Sequence, residues 1–111
     1  MSKRFAVGIT RDILDSRGEP AFGRDALKIL DAAPDLEWEY LPEKVAEIGA
    51  DHAARYDAIY VNTPRVPALA VARADCRLRV VARHGVGYDS VDVGAMTAAG
   101  VLVTNTSSVR A

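Results

Sequence analysis

The sequence predicts an α/β domain built as a parallel sheet wound on both faces by helices. Two observations carry this. Short apolar, β-branched segments alternate along the chain with stretches whose apolar residues fall at helical spacing. Pro34, Pro67 and Gly100 punctuate the alternation where helices start or stop. Half of the 111 residues are hydrophobic, which supports one domain with a core and leaves no room for two full ones.

The first strand is Phe5 to Ile9. Residues 10–22 carry Gly18 and Pro20 and read as a loop. Arg24 to Ala32 is a helix, with Ala26, Leu27, Leu30 and Ala33 along one side, and Pro34 stops it. Leu36 to Leu41 alternates apolar and acidic residues, the pattern of a half-exposed strand at a sheet edge. Glu43 to Ala54 is a second helical stretch, with Val45, Ile48 and Gly49 on one side. Asp57 to Val61 is a buried strand. Pro67 opens a third helix running to Ala74, since a first helical residue needs no N–H. Leu78 to Ala82 is the fourth strand. Val91 to Ala99 is the fourth helix, with Gly100 as its left-handed stop, and Val101 to Thr104 is the fifth strand. Right-handed crossovers then give a flavodoxin-like, doubly wound sheet of order 2-1-3-4-5. A six-stranded Rossmann order needs more chain.

Composition excludes several classes. The net charge of -1 and pI near 6.1 leave no electrostatic footprint for nucleic acid. No apolar run approaches the ~20 residues of a membrane span. The apolar stretch of MSKRFAVGITRD is too short for a signal peptide. The single cysteine, Cys76, excludes a disulfide framework and a cysteine-cluster zinc site, and fits a reducing cytoplasm. His52 and His84 form no H-x-x-x-H pair, so no metal is expected.

Ligands of open parallel sheets bind outside the carboxyl ends of the strands. That rule selects Thr10 and Arg11 after the first strand, Asn62, Thr63 and Arg65 after the third, and Arg83 to Asp89 after the fourth. In Arg83-His84-Gly85-Val86-Gly87 the two glycines permit a close backbone approach and a concavity of N–H groups that binds an anion. Arg83 adds a fork for a carboxylate. The residues alone leave a second reading equally open: a tight βα turn followed by a solvated arginine. The run Gly85 to Ser90 imitates G-x-G-x-x-G, but its third glycine is Ser90 and the following strand ends at Asn105, not at an acid. Dinucleotide binding at this loop is therefore rejected. Asp89 and Asp92 sit where they cap the next helix, ahead of any catalytic pairing. His84 is placed to donate to a ligand. His52 reads as a surface residue, Cys76 as packed or partly exposed, and Trp38 and Tyr40 as edge-strand packing. A receiver-type signalling domain needs acids where Thr10-Arg11 and Asn62-Thr63 stand.

Residues 78–106, LRVVARHGVGYDSVDVGAMTAAGVLVTNT, resemble the N-terminal substrate-binding domain of the D-isomer-specific 2-hydroxyacid dehydrogenases, the family of phosphoglycerate dehydrogenase and glyoxylate/hydroxypyruvate reductase. The shared pattern is an apolar strand, Arg-x-Gly-x-Gly-x-Asp, a V-D-x-x-A helix, a glycine and a strand ending V-x-N-T. Residues 1–77 carry no comparable motif. The resemblance implies a flavodoxin-like substrate domain whose loop after the fourth strand contacts the substrate carboxylate. The substrate-binding positions it assigns are Asn62, Arg83, Gly85, Val86 and Gly87, with the amides of Val86 and Gly87 on the carboxylate. Asn62 stands where phosphoglycerate-type members often carry arginine, which points to a small 2-keto or 2-hydroxy acid unless Arg65 compensates. Asp92 matches a family acid of structural role.

The family's cofactor domain and its catalytic arginine, glutamate and histidine lie downstream of the matched region. No catalytic, cofactor-binding or metal residue is therefore assigned in this chain, and NAD or NADP is expected only of the parent enzyme. Residues 1–105 are expected to form the substrate domain and 106–111 to begin the hinge toward an absent cofactor domain. The chain would act as part of an NAD(P)-dependent oxidoreductase, inactive alone, with a small 2-hydroxy or 2-keto carboxylate and a complementing cofactor domain as partners. The alternatives are a stand-alone carboxylate-binding module and a non-functional remnant. Neither a nucleic acid nor a membrane is an expected partner. In the family the C-terminal chain returns to cover the first domain, so an apolar surface near the first and fifth strands is expected to stay open here. Sedimentation velocity should show self-association of the 111-residue chain; a stable monomer at high concentration contradicts this.

Overall fold

The computed structural model describes residues 5–20, 23–84 and 90–105. The β-branched and apolar runs become β1 (Phe5–Ile9), β2 (Leu36–Tyr40), β3 (Ala58–Val61), β4 (Val80–Arg83) and β5 (Leu102–Thr104). Between them lie α1 (Arg24–Ala32), α2 (Ala50–Arg55) and α3 (Val93–Ala98), with single 3-10 turns at Arg11–Ile13 and Ala68–Val71. All four strand pairings are parallel and the order is β2-β1-β3-β4-β5, as the alternation predicts. The edge position of β2 also holds, with Glu37 and Glu39 exposed between half-buried neighbours.

Connection geometry divides the core. Only the β1-to-β2 crossover moves toward β2; the other three move the opposite way, so with a common hand they fall on the other face. Accordingly α1 packs on one face, where Leu27 meets Ile9 and Ile13, with Val7, Leu30, Trp38, Tyr40 and Tyr60 around them. The opposite face is larger: Ala6, Ile59, Val61 and Val81 pack against Ala53, Tyr56, Ala70, Met96 and Val101. On the α1 face an apolar groove runs beside α1, lined by Val7, Ile9, Leu30, Ala58, Tyr60 and Ala82.

Three helical boundaries differ from the sequence reading. The second helix begins at Ala50, not Glu43, because the preceding backbone bonds sideways: Ile48 N–H donates to Arg65 O at 2.8 Å and Arg65 N–H to Ala46 O at 3.0 Å. Gly49 caps α2 instead of lying within it, and Ile48 is still fully buried. The third helix shrinks to the Ala68–Val71 turn, with Pro67 extended (φ -82, ψ 170) as its cap. The chain then bends so that Arg77 N–H reaches Ala53 O at 2.8 Å. The fourth helix starts at Val93 because Asp92 is the cap, its carboxylate accepting Ala95 N–H at 3.0 Å. Gly100, at φ +78, is the left-handed stop. Strand boundaries shift less: β4 runs Val80–Arg83, and residues 10–20 gain the first 3-10 turn and a bridge between Leu14 and Pro20.

The amino ends of the strands are tied at Asp57. Its carboxylate accepts Ala6 N–H at 2.8 Å and pairs with Arg77 at 2.7 Å, while its carbonyl accepts Arg79 N–H at 2.7 Å. Beside it the buried Tyr56 ring packs against Gly8 of β1. A Cβ on Gly8 would meet Tyr56 Cδ2 and Cε2 at 2.9 Å. Gly8→Ala is therefore expected to destabilise the fold by about 1–3 kcal/mol through overpacking, measured by urea unfolding; an unchanged midpoint would show that the ring moves aside freely.

Candidate functional site

Parallel pairing brings the carboxyl ends of β1, β3 and β4 to one rim. Ile9 pairs with Tyr60, and Val61 with Arg83, so Thr10, Asn62 and His84 follow on adjacent strands. The rim is held by side chains as well as by the ladder. Thr10 is buried, its amide donating to Tyr60 O at 3.0 Å and its Oγ1 accepting Asn62 N–H at 3.2 Å. Asp12 accepts Thr63 N–H at 2.8 Å through Oδ2. Arg11 is drawn away from the rim's centre, with Nε donating to Leu41 O at 2.6 Å.

Asp12 carries a shifted proton equilibrium. Burial pushes its carboxyl up, but hydrogen bonding from Thr63 and Thr10 outweighs that and lowers its pKa from the ordinary aspartate value. The ionised side chain therefore holds the start of the loop after β3, which contains Asn62.

Arg83 is half-buried at the end of β4, with Nε donating to Ser90 Oγ at 3.2 Å. Ser90 O accepts Val66 N–H at 2.8 Å, and Asp92 N–H returns to Val66 O at 3.0 Å. The loop after β3 is thus clamped on one side by residues 90–92 and on the other by residues 46–48. Arg65 does not reinforce the rim: it is largely exposed and pairs with Glu47 at 3.4 Å. His84 N–H donates to Val61 O at 2.7 Å, and its ring meets the Tyr60 hydroxyl at 2.6 Å.

Of the five predicted substrate-binding positions, Asn62 and Arg83 lie at neighbouring strand ends on this rim. Gly85, Val86 and Gly87 lie outside the described residues, as does Asp89. His52 is not simply a surface residue: it is half-buried, and Nδ1 accepts Gly49 N–H at 2.9 Å. Cys76 packs partly buried against the core. Trp38 and Tyr40 stack edge-to-face at 5.4 Å, and Trp38 Nε1 donates to Asp31. Sequence reasoning missed Tyr60, which it absorbed into a buried strand. The available signal was its place one residue out of phase with the core residues Ile59 and Val61.

The amide of Ala95 at the start of α3 is taken by the Asp92 carboxylate. Among the described residues no group of histidine, cysteine and acids could hold a metal ion, and no helix is long and apolar enough to cross a membrane.

Residues 14–111 match the family model of the D-isomer specific 2-hydroxyacid dehydrogenase catalytic domain. The chain belongs to this family. It is 33% identical over 109 residues to glyoxylate reductase of Aeropyrum pernix, covering 96% of this chain and 30% of that protein. It is 46% identical over 71 residues to D-3-phosphoglycerate dehydrogenase of Mycobacterium bovis, covering 64% of this chain and 13% of that protein. Among solved structures, the PH0520 protein of Pyrococcus horikoshii OT3 superposes with a TM-score of 0.61 at 27% identity, over 92% of this chain and 27% of that one. The chain thus spans about a third or less of the dehydrogenases it matches.

Asp12 is expected to give the stability of the chain a pH dependence. A carboxyl with a depressed folded-state pKa stabilises above its unfolded value, and that stability is lost as pH falls through the folded value. Asp12→Asn should therefore be less stable than the wild type at pH ~7, with the gap closing below pH ~4. Urea unfolding at both pH values checks this; a gap independent of pH means that charge is not the cause.

Proposed function

We propose that this chain supplies the carboxylate-binding part of an NAD(P)-dependent D-2-hydroxyacid dehydrogenase acting on a small 2-keto or 2-hydroxy acid. The observation that carries the reading is the placement of Asn62 and Arg83 on adjacent strand ends, directly before the Gly85-Val86-Gly87 segment of a chain in this family. Arg83 offers a guanidinium fork to a carboxylate, and Asn62 offers an amide to an oxygen of the same small molecule. The backbone amides of Val86 and Gly87 would complete the carboxylate site.

Charge favours a small substrate. A further cation would help hold a phosphate ester, and the rim carries Asn62 where an arginine would serve it, while Arg65 pairs with Glu47. A small 2-keto acid such as glyoxylate suits this set, in keeping with the name of the Aeropyrum pernix relative.

The nicotinamide cofactor would supply hydride, and it would be held by residues outside this chain. Residues 1–105 would serve as the substrate domain, with residues 106–111 leading to the hinge. The chain alone should bind glyoxylate weakly, with Kd near 1 mM, about -4 kcal/mol, and should not oxidise NADH in its presence. Arg83→Met should weaken glyoxylate binding roughly tenfold by removing the charged fork. Amide-resolved NMR titration measures both. Binding by the isolated chain that Arg83→Met leaves unchanged would move the site elsewhere. No binding at all would favour a remnant that only folds.

A further inference from the structure

The Tyr60 and His84 side chains form a pair that the carboxylate site described above does not use. Tyr60 pairs with Ala82 across the β3–β4 ladder, so residue 84 projects on the same side of the sheet one step nearer the rim. Tyr60 Oη lies 2.6 Å from His84 Nδ1, with ring centroids 5.8 Å apart and tilted by 59°. Both rings are half-buried, which limits their freedom to turn.

The chemistry of this contact is directional. A phenol is protonated at neutral pH, and burial pushes the Tyr60 hydroxyl further up, against the opposing charge of Arg83. The hydroxyl can donate to Nδ1, and in that arrangement a neutral imidazole keeps its proton on Nε2. The two ring nitrogens diverge, so Nε2 is directed away from Tyr60. His84 is also fixed through its backbone, which donates to Val61 O, immediately before Asn62.

We infer that His84, held by the Tyr60 hydroxyl with its proton on Nε2, is a further binding residue that donates to an oxygen of the 2-keto acid, and that Tyr60 is its positioning residue. The inference rests on the carboxylate-site reading above. The donor is neutral, so it adds a directed hydrogen bond to an oxygen already attracted by Arg83. It also adds specificity, because an analogue with an apolar group at that oxygen would leave the half-buried Nε2–H unpaired.

The test uses the full 111-residue chain labelled with 15N. At pH ~8 the His84 ring nitrogens should show the Nε2–H tautomer. Tyr60→Phe should give a mixture of tautomers without unfolding, since it removes only an oxygen. Addition of glyoxylate should shift the His84 Nε2 signal. His84→Gln should weaken glyoxylate binding roughly three- to tenfold, and Tyr60→Phe by less, as expected when one hydrogen bond is lost or misaligned. An Nδ1–H tautomer in the wild type, or equal glyoxylate affinity in wild type and His84→Gln, overturns the inference and leaves the site reading standing. Failure of the folded wild type to bind glyoxylate removes the site reading and this inference together. Should His84→Gln unfold, the Tyr60→Phe chain carries the decision: an unchanged tautomer overturns the positioning role.

Discussion

Asp57 is the point on which the arrangement of the strands depends. It stands at the amino end of the central strand β3, with a side chain only 19% exposed, so its charge has to be matched locally. Arg77 supplies the countercharge and Ala6 N–H a second hydrogen bond. The main chain of Asp57 donates to Ala6 O and accepts from Arg79 N–H. One residue thereby sets the starting heights of β1, β3 and β4. Because these strands are parallel, a register fixed at their amino ends is carried to their carboxyl ends, where Thr10, Asn62 and His84 emerge side by side.

The rim inherits that order and adds its own restraints. Thr10 and Asp12 spend hydroxyl and carboxylate oxygens on the amides of Asn62 and Thr63, groups that would otherwise be left open at the end of a strand. Residues 46–48 and 90–92 grip the rest of the loop from both sides through backbone bonds. The side chains proposed to meet substrate thus stand on elements whose positions are determined by other residues. Such support is what a binding site needs if its donors are to remain aligned before a ligand arrives.

The crossover pattern has a second consequence. Among the described residues α1 and the turn before it pack on this face, and Val7, Ala58, Tyr60 and Ala82 line an apolar groove beside α1. Ile29 at 73% and Leu102 at 61% exposure add apolar surface nearby and on the edge strand. Tyr60 belongs to both the groove and the rim. Its ring extends the apolar lining while its hydroxyl reaches His84, the amphipathic use for which a tyrosine is suited.

Strand identity, strand order and the edge position of β2 were legible in the sequence, because period-two patterning and proline and glycine punctuation are local, and the right-handed crossover leaves few topologies. The capping role of Asp92 and the left-handed turn at Gly100 were legible for the same reason. The extents of the second and third helices were not. Residues 43–48 have helical spacing, yet their backbone bonds to residue 65, a partner no local pattern can announce. Asn62 and Arg83 could be named from a rule about strand ends and from the family motif. The roles of Asp12 and Thr10, the diversion of Arg65 to Glu47, and the Tyr60–His84 pair depended on which side chains adjacent strands bring within hydrogen-bond reach. Those contacts join residues 24 to 52 positions apart in the chain, apart from the Arg65–Glu47 pair at 18. Sequence periodicity determines which face a residue takes; only the folded register decides what it finds there.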